Sequence, residues 1–181
     1  KKHNLKIGTI ADLINYRIFN EQTVQRLEGK SVKTEHGKFN LILYKDLIFE
    51  ETHIVLQKGR ISKNTPTLVR VQQSNLYHDL LNIDEFGTRW SVSDAMKKIN
   101  KAGNGIILLI DGDNNKENEF KEIRASKKKR KTIPNNDPRR IGIGSQILRD
   151  LGVKKIKLMG SEVRYPSLSG FDLEVTEYIK K

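Results

Sequence analysis

The residues best suited to chemistry lie in "NNDPRRIGIGSQILRDLGVKKIKLMG", residues 135 to 160. Asp137, Arg139 and Arg140 stand just ahead of a Gly-Ile-Gly turn expected to open a helix. Such a turn exposes unpaired backbone N–H groups at the positive end of a helix dipole, an arrangement suited to phosphate. Arginine adds a bidentate donor for phosphate oxygens, and a neighbouring aspartate can orient it or accept a proton. Glycines ahead of helices are also ordinary turn devices, and Arg beside Asp is also what a surface ion pair looks like. Residue type leaves both readings open.

Other chemistries are narrower. The 181 residues include no cysteine, which removes disulfides, thiolate nucleophiles and zinc sites built from Cys. That usage fits a reducing cytosol, so a cytoplasmic location is expected. His3, His36, His53 and His78 are scattered without ligand spacing, and no metal site is expected from them. Asp111 and Asp113 close an apolar run, the place where α/β proteins tend to bind ligands, although an Asx-type turn is the plainer expectation. His78-Asp79 reads as turn and packing material.

The net charge of +12 raises the question of nucleic acid. Residues 121–140 hold nine Lys or Arg against Glu122 and Asp137, so more than half of the excess sits in one segment. No Tyr, Phe or Trp is interleaved with the lysines from Lys127 to Lys131 to stack bases, which disfavours nucleic acid as a partner. Residues 112–136 read as a charged mobile loop. No apolar run approaches the roughly 20 residues that a membrane span needs, so no membrane is expected.

The elements that must position these residues follow an α/β pattern. Thr9 caps a first helix, with Asp12 completing a capping box and Ile10, Leu13, Ile14 and Arg17 on one face. Phe39, Leu41 and Leu43 alternate with polar neighbours in one strand, and His53, Val55 and Gln57 do so on its return. Thr67 to Val71 forms a third strand. "SVSDAMKKINKAG" is a helix with a Ser91 or Ser93 cap, Ala95, Met96 and Ile99 inward, and Gly103 as its stop. The run ending at "DGD" reads as a strand buried on both faces. "GSQILRDLG" is a short helix packing Ile147, Leu148 and Leu151 and ending at Gly152; "VKKIKLMG" and "GFDLEVTEYI" complete the strands. The length suits one well-cored domain, a mixed sheet flanked by helices.

Taken in order, "PTLVRVQQSNLYHDLL", "AMKKINKAGNGIILLI", "DPRRIGIGSQILRDLGVKKIKLM" and "LSGFDLEVTEYI" resemble successive parts of the GTP cyclohydrolase II family. "HNLKIGTIADLINYR" resembles the last helix of dihydroxybutanone phosphate synthase, which in bifunctional riboflavin-biosynthesis proteins precedes the cyclohydrolase. The resemblance implies a synthase remnant and linker over 1–28 and a cyclohydrolase-II-like domain over 29–181, with a homodimer and an attached synthase domain as expected partners. It also implies three zinc-binding cysteines, but Asn75 stands at the first, and Phe86 and Thr88 fall at about the other two. The family's Arg-Gln-Glu-Gly-Arg-Gly phrase is replaced by "DGDNNKEN", its catalytic tyrosine has no counterpart in "FKEIRASKKKRKTIP", and its Thr-Asn-Asn-Pro run becomes Gly160-Ser161-Glu162-Val163. Arg70 is kept at a nucleotide-binding position. Asp137 falls at the proton-accepting aspartate, and Arg139 at the arginine proposed to attack the α-phosphate. The expectation is therefore a domain with no zinc cofactor and no zinc-dependent cyclohydrolase activity, in a structural or regulatory role. The alternative is a zinc-independent enzyme or binder that acts on GTP, another nucleotide or a phosphosugar through Asp137 and Arg139.

Overall fold

The computed structural model describes residues 8, 9, 12, 13, 16, 17, 20–73, 79, 90–111, 138–163 and 165–181. Seven strands form one mixed sheet among them: β1 (Val24–Thr34), β2 (Gly37–Asp46), β3 (Thr52–Lys58), β4 (Thr67–Gln73), β5 (Gly105–Ile110), β6 (Lys155–Met159) and β7 (Glu174–Ile179). Their spatial order is β1-β2-β3-β5-β4-β6-β7. The β1-β2-β3 meander is antiparallel, β3 pairs antiparallel with β5, and β5, β4, β6 and β7 run parallel. This is the mixed α/β architecture expected.

Central β5 explains the layering. Ile106, Ile107 and Leu108 have no exposed surface, so both faces of the strand must be covered. Helix α1 (Val92–Ala102) covers one face, with Ala95, Met96 and Ile99 packed among Phe39, Leu56, Leu68 and Ile107. Helix α2 (Pro138–Asp150) covers the other, with Ile143, Ile147 and Leu148 packed on Ile42, Val55, Val69, Ile106 and Leu108. Each helix has the local signals the sequence gives it. The Ser91 hydroxyl accepts from the Asp94 N–H at the start of α1, and Gly103 adopts φ 80 at its end, where its N–H reaches the Ile99 carbonyl. Beyond α2, the N–H of Val153 returns to the Leu148 carbonyl. A 3-10 helix (Pro166–Phe171) leads into β7. No helix among the described residues is long and apolar enough to cross a membrane.

Four expectations change. First, Gly142 and Gly144 do not form a turn that opens α2: the helix begins at Pro138 and both glycines are buried inside it. Gly144 allows close approach, since a Cβ there would lie 3.3 Å from Ile110 Cδ1. Second, Val24–Thr34 forms a strand, β1, where no strand was expected. This edge strand buries Val24 but little else, so its own pattern carries no alternation and pairing with β2 defines it. Third, β2 is not one-sided, because Ile42 and Tyr44, both fully buried, fill the α2 side while Phe39 and Leu41 face α1. Fourth, Leu13 is 59% exposed rather than packed; Ile10 and Ile14 lie outside the described residues, as does the segment 112–136. The Thr9–Asp12 capping box does form, each side chain accepting from the other residue's backbone N–H at 3.0–3.1 Å.

Because β5 is packed from both sides, Ile107→Ala should cost about 3 kcal/mol. In urea unfolding the midpoint should fall while the slope stays unchanged.

Candidate functional site

The two crossovers fix where a site can form. β4 connects through α1 on one face to β5, and β5 connects through α2 on the opposite face to β6, on the far side of β4. At the carboxyl ends of neighbouring β4 and β5 the chain thus departs to opposite faces, the switch point at which α/β sheets open a ligand crevice. Gln72, Gln73, Ile110 and Asp111 lie at those ends, and Arg139 and Arg140 enter from the start of α2.

Arg139 is held by the turn between β2 and β3. Its guanidinium donates to Glu51 Oε2 at 2.5 Å, lies 3.8 Å from Asp46 Oδ2, and stacks with its carbon 3.4 Å from the centre of the Phe49 ring. The turn is built for this. Asp46 Oδ1 accepts from the N–H groups of Ile48 and Phe49 at 2.8 and 3.2 Å, and the Asp46 N–H reaches the Glu51 carbonyl at 2.8 Å. Asp46 is 1% exposed, and such a buried carboxylate needs both those donors and a cation. Arg140 donates to Gln73 Oε1, tying α2 to the end of β4.

His53 joins the same cluster. Its Nδ1 accepts from the Asp111 N–H at 3.1 Å, which places the proton of the neutral ring on Nε2; that nitrogen is buried without a hydrogen-bond partner among the described residues. Burial holds the imidazole below its ordinary pKa of 6.5, against the pull of Asp46, Glu51 and Asp111, and Arg139 adds to the lowering. No ligand role is expected of His53 from its spacing, yet one ligand atom from each of Asp46, Glu51 and His53 lies within 4.8 Å of the others. Those donor types suit a divalent ion. Two features oppose that use. Arg139 already supplies the positive charge, and a metal-bound imidazole needs its other nitrogen to donate, whereas Nδ1 here faces a donor. The cluster is a clamp for a guanidinium.

The remaining sequence candidates fall in different places. Arg70 is built into the framework, donating to Gln72 Oε1, to the Met159 carbonyl and to the Trp90 carbonyl at 2.8–3.2 Å. Asp79 accepts from the Gln72 amide and from the Val92 N–H at the head of α1, a packing role as expected. Asp137, Asn75, Phe86, Thr88, Asp113 and the Lys127–Lys131 run lie outside the described residues. Reasoning from sequence passed over Asp46, Phe49 and Glu51; the only available signal was the alternation that puts His53 and Val55 on one buried face.

The model of the GTP cyclohydrolase II family matches residues 25–180. The chain belongs to that family. It is 41% identical to a 3,4-dihydroxy-2-butanone 4-phosphate synthase of Pseudomonas aeruginosa and 36% identical to the riboflavin biosynthesis protein RibBA of Aquifex aeolicus. These alignments cover 98% and 99% of this chain but 49% and 47% of the relatives. Among solved structures it is similar to RibBX, a two-domain 3,4-dihydroxy-2-butanone 4-phosphate synthase from A. baumannii. There the TM-score is 0.61 at 37% identity, over 99% of this chain and 47% of that one. The chain thus spans about half the length of the relatives it matches. The family match starts at the head of β1, close to the first residue of the sheet.

The Arg139 clamp yields a stability prediction. Arg139→Ala leaves Asp46 buried with only its backbone donors, so unfolding should become easier by about 2 kcal/mol, less than for a fully enclosed pair because Arg139 is 30% exposed. Arg139→Lys should recover little of the loss in thermal melts, since an ammonium neither forks between two carboxylates nor stacks flat on Phe49.

His53 gives a pH dependence of defined sign. Below pH 6.5 the unfolded chain gains a proton that the buried ring resists, so stability falls as pH drops from 7 towards 5.5. His53→Gln should flatten that slope in urea midpoints measured at the two pH values. An unchanged slope would mean that His53 protonates as readily in the folded state.

Proposed function

We propose that this chain is a cyclohydrolase-II-like domain that does not carry out zinc-dependent opening of GTP, and that it supports a linked dihydroxybutanone phosphate synthase in a structural or regulatory role, as a homodimer. The observation that carries this reading is the state of Arg139. It stands where the family resemblance puts the arginine directed at the α-phosphate, yet its guanidinium is engaged by Glu51 and Asp46 and stacked on Phe49. A triphosphate approaching it would meet those two carboxylates first, and like charges at such range repel strongly where water is scarce.

The donor chemistry points the same way. The resemblance implies a zinc ion held by three thiolates, and the chain has no cysteine; Asn75, Phe86 and Thr88 at the corresponding positions supply no thiolate. The residues present do not fit that ion. Arg70, the other nucleotide-binding position, has its guanidinium directed at the Met159 and Trp90 carbonyls. A catalytic site that acts as a unit loses its rate as a unit. Support for a synthase partner comes from the relatives, which carry about as much chain again and bear synthase or riboflavin-biosynthesis names.

Purified protein supplied with zinc and GTP should release no formate above background, and the longer polypeptide should lose synthase turnover when residues 24–181 are removed. Stoichiometric zinc together with formate release would overturn the first statement. Full synthase turnover in the shortened protein would overturn the second.

A further inference from the structure

The turn between β2 and β3 carries three large apolar side chains in a row, Leu47, Ile48 and Phe49, and each is half-exposed. Phe49 gives one ring face to Arg139 and keeps the rest outside. The backbone holds all three there. Asp46 Oδ1 accepts from the Ile48 and Phe49 N–H groups, and the Asp46 N–H reaches the Glu51 carbonyl. Glu50 closes the turn at φ 58, a left-handed conformation that residues other than glycine seldom take. A turn pinned in this way cannot fold its apolar residues inward. Single exposed hydrophobic residues are ordinary on any surface, whereas a contiguous group marks a site of interaction.

Size and position decide what covers it. Three half-exposed side chains offer about 300 Å² together, taking about 200 Å² for a whole aromatic one. A partner that diffuses freely needs roughly 800 Å² of each surface. A partner tethered to the same chain needs less, because its effective concentration is of millimolar order. The turn also lies against the point where the chain enters the sheet, with the Leu47 N–H donating to the Thr23 carbonyl at 2.8 Å. Ahead of Thr23, Leu13 and Tyr16 stand three apart on helical backbone, and both are exposed. The incoming segment thus shows an apolar side of its own.

We propose that the Leu47–Phe49 turn is the surface on which a linked amino-terminal domain docks, through an apolar patch rimmed by basic side chains. The proposal rests on the reading above that a synthase domain is joined to this one, and adds where the two touch. The relatives carry about as much chain again, and the resemblance of the first residues to the last helix of a synthase implies that it lies ahead of the sheet. Glu50, exposed at the edge of the patch, calls for the basic rim. It also disfavours an anionic lipid surface, which would repel a carboxylate beside the inserting side chains. Because Phe49 and Glu51 hold Arg139, a domain docked here bears directly on the start of α2.

Thiol labelling of the longer polypeptide tests this, since these 181 residues include no cysteine of their own. With any cysteine of the linked domain replaced by serine, Ile48→Cys should react with a maleimide at least about 10-fold more slowly than Lys33→Cys, exposed at the far end of β1. Leu47→Cys is a second probe should Ile48→Cys fail to fold. Adding Leu47→Asp to Ile48→Cys should bring its rate to within about 2-fold of the Lys33→Cys rate, because a buried unpaired carboxylate opposes docking. Equal rates at Ile48→Cys and Lys33→Cys overturn the proposal. So does protection that disappears on hundredfold dilution, which would assign the patch to a second copy of the chain. Synthase turnover is read separately: turnover unaffected by Leu47→Asp while protection is lost supports the docking surface and counts against the supporting role.

Discussion

The molecule is organised by the need to cover β5 on both sides. A strand whose residues Ile106, Ile107 and Leu108 are all sealed cannot lie at a surface, and the antiparallel meander supplies only one neighbour, β3. The chain must therefore place one helix on each face. Right-handed crossovers to parallel neighbours then send the chain to opposite sides of β4, because handedness ties the face of the helix to the direction of travel. The crevice at the ends of β4 and β5 follows from that geometry, before any side chain in it is considered. What fills the crevice is a separate choice, and here carboxylates and aliphatic groups fill much of it.

The acidic turn shows how such a choice is stabilised. The chain carries a net charge of +12, yet the start of α2 meets two carboxylates on the turn between β2 and β3. Asp46 organises the turn through backbone N–H groups and at the same time receives Arg139, so loop geometry and charge pairing support one another. The entry to the sheet is tied into the same unit. The Thr23 N–H donates to Gln146 of α2 at 2.8 Å, and the Leu47 N–H donates to the Thr23 carbonyl. Tyr44 closes the far end of α2 through a 2.5 Å hydrogen bond from its buried phenol to Asp150. Helix, turn and entry segment thus form one packed body.

How much of this was legible depended on the range of the interaction. The caps of α1, the left-handed Gly103 and the apolar run of β5 are local, and each was readable from a few adjacent residues. β1 was not, because a half-exposed edge strand is defined by its hydrogen bonds to β2 rather than by its own pattern. Gly142 and Gly144 were misread for a related reason. A glycine that lets a helix approach a sheet looks, in one dimension, like a glycine that breaks the chain into a turn. The partner of Arg139 lies 88 residues away, and no spacing rule links Glu51 to it.

The stretch with the most specific family resemblance is therefore also the one whose meaning the structure changes most. From Pro138 to Val153 the residues that repeat the family phrase are largely those that pack: Ile143, Ile147, Leu148 and Val153 face the core, and Gly144 allows that packing. A helix so constrained keeps its sequence for reasons of volume, whatever becomes of the chemistry beside it. Arg139 fits the same account. A planar cation that must lie flat on Phe49 while pairing with two carboxylates is specified as an arginine by the clamp alone, since lysine cannot do both. An arginine thus carries no message about reaction until its partners are known.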